Sequence, residues 1–203
     1  MDKVNNNKSS SVNNYAFLGL LLALNILNTV DRNLLASFSN YIVPELGLSN
    51  TQFGLLNGFL FIIFYAVMGI FMGMMADRYH RPRLIAIGVM LWSSLTAISG
   101  AAQGFISLAL PRMLIGIGES VLTPASMSLL ADRFPRDKLG FAAGTYYMGV
   151  PLGVACSLLV AGFFGPLIGW RNCFYALGLV GVILALIVAF LPETANRSAG
   201  NKS

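Results

Sequence analysis

Apolar residues occur along this chain in blocks of about 20 or more, separated by short polar connections, without the strict alternation of a half-buried strand. The blocks cover residues 15–38, 51–75, 84–102, 105–131, 139–163 and 170–191. Each is long enough to cross a ~30 Å hydrocarbon core as a helix. The pattern therefore predicts an all-α integral membrane protein with six transmembrane helices over residues 15–192. Residues 1–14, rich in Asn, Ser and Lys, read as a disordered tail and not a signal peptide, because no small-residue cleavage site follows a short apolar region. Pro192 stops the last block, and residues 193–203 read as a second polar tail.

Composition agrees with a bilayer as the first partner. The 203 residues are 56% hydrophobic and 10% charged, with a mean hydropathy of +0.72, which excludes an ordinary water-soluble domain. A net charge of +5 could serve nucleic acid, but here the cations punctuate apolar blocks and build no single solvated face, so nucleic acid is excluded as a partner. Cys156 and Cys173 each fall inside a block, where a thiol acts as a small hydrophobe. His80 alone cannot hold zinc, and the sequence implies neither metal nor cofactor. An intramembrane enzyme would need a nucleophile with its base, or paired His and carboxylate ligands, and the one His lies in a loop.

The cations also give an orientation, since Lys and Arg collect on the cytoplasmic side. With the N-terminus inside, the inner segments hold Lys3, Lys8, Arg78, Arg81, Arg83, Arg133, Arg136, Lys138, Arg197 and Lys202, whereas the outer ones hold only Arg171, beside Trp170. Ten against one places both termini in the cytoplasm of a plasma or bacterial inner membrane.

Local signals refine the helices. Ser49, Asn50, Thr51 and Gln52 form a capping-box-like start for the second block. Gly54 with Gly58, Gly69 with Gly73, Gly140 with Gly144, and Gly149 with Gly153 repeat the small-x-x-x-small spacing of close helix packing, the last pair flanking Pro151.

Apart from helix ends, the blocks contain four charged residues, Asp31, Arg32, Arg112 and Glu119, which sum to zero. Balance is what burial demands, because an unpaired charge in low dielectric costs several kcal/mol. Asn25, Asn28 and Arg32 share one face at helical spacing, with Asp31 about 100° away from Arg32. Arg112, Gly116 and Glu119 share a face of the fourth block, with Glu119 roughly 10 Å further along the axis. Cross-helix pairs between the first and fourth blocks follow as the natural arrangement.

The connection over residues 73–83, G-M-M-A-D-R-Y-H-R-P-R, resembles the loop between the second and third helices of the major facilitator superfamily, G-x-x-x-D-R/K-x-G-R-R/K. Gly73, Asp77, Arg78 and Arg81 match, while His80 stands for the usual Gly and Pro82 for a basic residue. In that family the loop latches helix ends and gates the inner opening. A weaker echo, A-D-R-F-P-R at residues 131–136, reads as two inner helix ends converging on similar residues and not as an internal repeat.

Three further stretches narrow the resemblance to the Spinster-like branch: N-T-V-D-R at residues 28–32, R-M-L-I-G-I-G-E at 112–119 and M-G-V-P-L-G at 148–153. The last departs from the family's G-x-x-x-G-P-x-x-G antiporter motif. The resemblance implies one six-helix half of a twelve-helix fold, itself a 3+3 inverted repeat. It also implies a proton- or ion-coupled secondary transporter working by alternating access. Asp31 and Glu119 become the proton-coupling candidates, and Asn25, Asn28, Arg32 and Arg112 the substrate-binding ones. Two intramembrane arginines point to a small anionic or zwitterionic solute or a lysolipid. A structural ion network that only holds helices together is the competing reading of the same four charges. For the half, a fragment whose C-terminal half is missing and a pair of identical copies both stay open. So does a non-transporting membrane protein acting as a structural or interaction partner.

Overall fold

The computed structural model describes residues 2–191, and the side-chain surroundings of residues 14–191 except those of Asp77. Its regular structure is entirely helical, in ten α-helices and two π-helical turns among the described residues. Helix α1 (Asp2–Ser37) takes in residues 2–14, where a disordered tail is expected; no Gly or Pro precedes Gly19 to interrupt it. The tail expected at 193–203 lies outside the described residues. A short α2 (Ser39–Glu45) carries Pro44 in its last turn and is followed, one residue past its cap Leu46, by Gly47, whose φ of +62° suits glycine.

The Ser49 hydroxyl accepts from the Gln52 amide at 3.2 Å, and the Ser49 amide donates to Gln52 Oε1 at 2.9 Å, so the predicted capping box starts α3 (Asn50–Gly54). A π turn at Leu55–Phe59 carries α3 into α4 (Leu60–Arg78). Helix α5 (Arg81–Ser99) follows within two residues. His80 caps it, accepting from the Arg83 amide at 3.3 Å, and Pro82 sits in the first turn, where a missing N–H costs nothing. The departures from the loop pattern at His80 and Pro82 thus become a helix start.

Two breaks in later helices have proline causes. Pro124 lacks the N–H that would bind the Ser120 carbonyl, and the fourth block divides into α6 (Phe105–Glu119) and α7 (Leu122–Arg133). Pro151 does the same to Tyr147, dividing the fifth into α8 (Arg136–Tyr147) and α9 (Gly149–Leu159). After a π turn at Val160–Phe164, α10 (Gly165–Ala189) bends at Gly169, where φ is +79°. That bend is the boundary between the fifth and sixth apolar blocks.

Four helical stretches among the described residues are long and apolar enough to cross a membrane: Asn50–Ala76, Arg81–Ser99, Phe105–Arg133 and Arg136–Ala189. Helix α5 packs along α10 and α6, α1 along α9, and α4 along α6. The contacts are tightest at glycines. A Cβ on Gly88 would lie 2.8 Å from the Gly118 carbonyl oxygen, and one on Gly153 would lie 2.5 Å from Thr29 Cβ. By contrast Gly54, Gly58, Gly69, Gly73, Gly140 and Gly144 have open space where a Cβ would stand. The expectation of close packing at those three pairs is therefore corrected for this chain: their faces meet no neighbouring helix among the described residues. Consistent with this, only 11% of the most apolar stretch of Asn50–Ala76 is buried, against 61% for Phe105–Arg133.

Candidate functional site

The four intramembrane charges converge between α1, α4, α5 and α6. Arg32 Nε donates to Glu119 Oε2 at 2.6 Å, joining α1 to α6. The Glu119 side chain is fully enclosed, whereas that of Arg32 is 32% exposed. Its guanidinium lies over the ring of Tyr65, 4.2 Å from the centroid, and within 5.2 Å of Phe61. Those two rings, one helical turn apart on α4, stack on each other at 5.6 Å. Arg32 is therefore held by a carboxylate and by aromatic faces that attract a cation.

Arg112 is placed differently from expectation. It forms no ion pair with Asp31 among the described residues; its Nη1 and Nη2 donate to the main-chain carbonyls of Asp31 and Arg32, at 3.3 and 2.8 Å. A helical carbonyl has a second lone pair to offer, so a guanidinium can clamp α1 without unwinding it. The Arg112 guanidinium also approaches the Phe61 ring at 5.1 Å, so this ring contacts both cations. The Asp31 carboxyl is buried and faces Trp92 and Thr96 on α5. Oδ1 of Asp31, Oε1 of Glu119 and Nδ2 of Asn28 make no hydrogen bond among the described residues. Two enclosed carboxyl groups thus lie beside two guanidinium groups in one polar site between the helices.

Asn25 occupies the other end of the polar stripe. Its Nδ2 donates to the Tyr146 carbonyl at 2.7 Å, in the turn opened by Pro151. The side chain also fills the space over Gly149, where a Cβ would come within 2.8 Å of Asn25 Cβ. Gly149 and Gly153 thus seat α9 on α1 beside the charged cluster, while Pro151, expected to share in this packing, is exposed.

The loop residues separate. Gly73 faces open space, Arg78 is exposed, and the side chain of Asp77 lies outside those described. Arg81 is buried and pairs through Nη1 with Asp132 Oδ2 at 2.5 Å. Asp132 belongs to the echo at residues 131–136, so the two similar connections are joined to each other. Arg133 lies over Phe17 at 3.8 Å, and its carbonyl accepts from Asn14 at 3.1 Å, adding the start of the first apolar block to the same end.

At the opposite end of α5, Glu45 accepts from the Trp170 indole at 2.6 Å and pairs with Arg171 at 3.0 Å. Arg171 also donates to the carbonyls of Gly100 and Ala102, at 2.9 and 2.6 Å. The Trp170 hydrogen bond, and then Arg171, hold the Glu45 carboxyl below the ordinary carboxylate range. Sequence reasoning singled out neither Glu45 nor the pair Phe61 and Tyr65. The aromatic i, i+4 spacing of the latter is a signal, but one shared by any packed helix.

Balanced charges enclosed in an apolar helical bundle define an integral, multi-pass membrane protein with a polar site between its helices. The Major Facilitator Superfamily profile matches residues 21–203, and the chain belongs to that family. It is 37% identical over 196 residues to an MFS-type efflux pump of Mycolicibacterium smegmatis, covering 92% of this chain and 46% of the pump. It is 32% identical over 195 residues to the cis,cis-muconate transport protein of Acinetobacter baylyi, covering 94% of this chain and 46% of that protein. The solved structure of a bacterial homologue of the human lysosomal transporter Spinster, inward-facing and unoccupied, superimposes with a TM-score of 0.83. Identity there is 32%, over 89% of this chain and 43% of the other. The resemblance to the Spinster-like branch accordingly extends to the backbone. The chain spans about half the length of the relatives it matches.

Proposed function

We propose that this chain supplies the N-terminal, six-span half of a secondary active transporter, with both termini cytoplasmic, that moves a small anionic or zwitterionic solute or a lysolipid by alternating access. The observation that carries the reading is the enclosed Arg32–Glu119 pair between α1 and α6, with Arg112 clamped on the α1 backbone beside it. Protonation of Glu119 would free the Arg32 guanidinium, and protonation of Asp31 would remove the negative charge facing α5; either would favour a different contact between helices. The freed cation suits a carboxylate or phosphate on the substrate. The muconate protein among the relatives carries a dianion by its name, which supports that substrate class. The exposed face of α4, with its uncovered glycines, supports a second body beside it, either a C-terminal half or a second copy.

The test is reconstitution of the chain into proteoliposomes, alone and together with a separately expressed C-terminal half, with proton flux read by an internal pH dye. Glu119-dependent flux in either sample supports the reading. Flux unchanged by Glu119→Gln and Asp31→Asn would assign the four charges to a structural network.

A further inference from the structure

A groove of about 460 Å³ runs between α5 and α10 on the outside of the bundle, lined by Ala86, Ile87 and Met90 of α5 and by Ala185, Leu186 and Ala189 of α10. Its volume lies within the ~300–1,000 Å³ range of small-molecule sites. Ala86 and Ala185 form the floor, and the flanking Ile87 and Leu186 are well exposed. The one polar side chain of the lining, Ser94, donates to the Met90 carbonyl of its own helix at 2.7 Å, so the groove offers an occupant no polar group. Hydrocarbon is what fits. From Ala86 to Ser94 the groove follows α5 for about 12 Å, close to the ~15 Å depth of one leaflet.

The mouth is different. Arg83 lies three residues before Ala86 and four before Ile87, one helical turn below the groove on the same face. It is exposed, and its guanidinium makes no hydrogen bond or ion pair among the described residues. The sign and position of this charge complement a lipid phosphate at the membrane surface, and an arginine fork can grip two phosphate oxygens at once. We infer that the groove between α5 and α10 binds an anionic glycerophospholipid, with one acyl chain along Ala86, Met90 and Ala185 and the phosphate on Arg83. This site faces the bilayer and is separate from the charged cluster inside the bundle.

The test is photocrosslinking of the full chain in phosphatidylcholine nanodiscs doped with a diazirine-acyl probe, either phosphatidylglycerol or phosphatidylcholine, with labelled peptides mapped by mass spectrometry. Phosphatidylglycerol should label residues 86–94 and 185–189 about fivefold more than phosphatidylcholine, the ratio that ~1 kcal/mol per surface cation gives. Arg83→Gln should bring the two probes level, Arg83→Lys should keep most of the preference, and Ala189→Phe should reduce labelling by both. Equal labelling of the unaltered chain by the two probes, or a preference that survives Arg83→Gln, would overturn the proposal. Protection of the groove from both probes would also overturn it, since another protein surface would then fill it.

Discussion

Arg32 and Glu119, 87 positions apart in sequence, meet at 2.6 Å with the carboxylate wholly enclosed and the guanidinium still partly open to the outside. The asymmetry sets how the pair responds to mutation. Arg32→Gln leaves an enclosed carboxylate without its cation and should destabilise the fold by about 3–5 kcal/mol. Glu119→Gln should cost less, because Arg32 keeps its place over Tyr65 and is only partly enclosed. The double variant should recover part of the Arg32→Gln loss. Unfolding by SDS titration in mixed micelles gives the three values and their coupling.

Glycine substitutions should divide by face. Gly153→Ala drives a methyl to 2.5 Å from Thr29 Cβ and 2.8 Å from the Ile26 carbonyl oxygen, and overpacking should cost about 1–3 kcal/mol. Gly144→Ala meets open space on a helical backbone and should be neutral or stabilising by roughly 0.5–1 kcal/mol. Thermal midpoints in one detergent compare them directly, and a Gly153→Ala variant as stable as the parent would contradict the seating of α9 on α1.

Asn25→Ala removes the hydrogen bond to the Tyr146 carbonyl and should cost about 1 kcal/mol. Because that bond bridges α1 to the opened turn near Pro151, amide exchange at residues 148–150 should quicken in the variant. Exchange elsewhere in α8 should stay as it was.

Acid should release the outer cluster. The Glu45 carboxyl is held below its ordinary value of 4.5, so its contacts with Trp170 and Arg171 are complete above that pH and are lost as pH falls through the lowered value. In a Trp92→Phe background, Trp170 fluorescence should be constant above pH 4.5 and change only below it. Glu45→Gln should abolish the transition, and its persistence there would locate the titrating group elsewhere.

The charged cluster was legible because ionisable residues are expensive inside a bilayer, so Asp31, Arg32, Arg112 and Glu119 stand out against an apolar background. The cross-helix pairing expected between the first and fourth blocks is met by Arg32 with Glu119, but not by Arg112 with Asp31. Helical register gave the faces, but Arg112 bonds main-chain carbonyls, which carry no sequence signature. Phe61 and Tyr65 stayed hidden for a related reason: an aromatic side chain in an apolar helix suits lipid, core or a cation equally well. Small-x-x-x-small spacing likewise defines a face without naming a neighbour, and among the described residues only Gly149 and Gly153 of the four pairs meet one. Pro124 and Pro151 divided two blocks through single missing donors, too fine a feature for hydropathy to show.

Helix α5 is fastened at both ends by arginines. Arg81 ties its first turn to Asp132, and Arg171 holds the carbonyls of Gly100 and Ala102 just past its last turn. The two fastenings lie about 28 Å apart along the axis, on opposite faces of the membrane. A tilt of α5 about either fastening would have to break the other, so the helix is braced as a strut between the two surfaces.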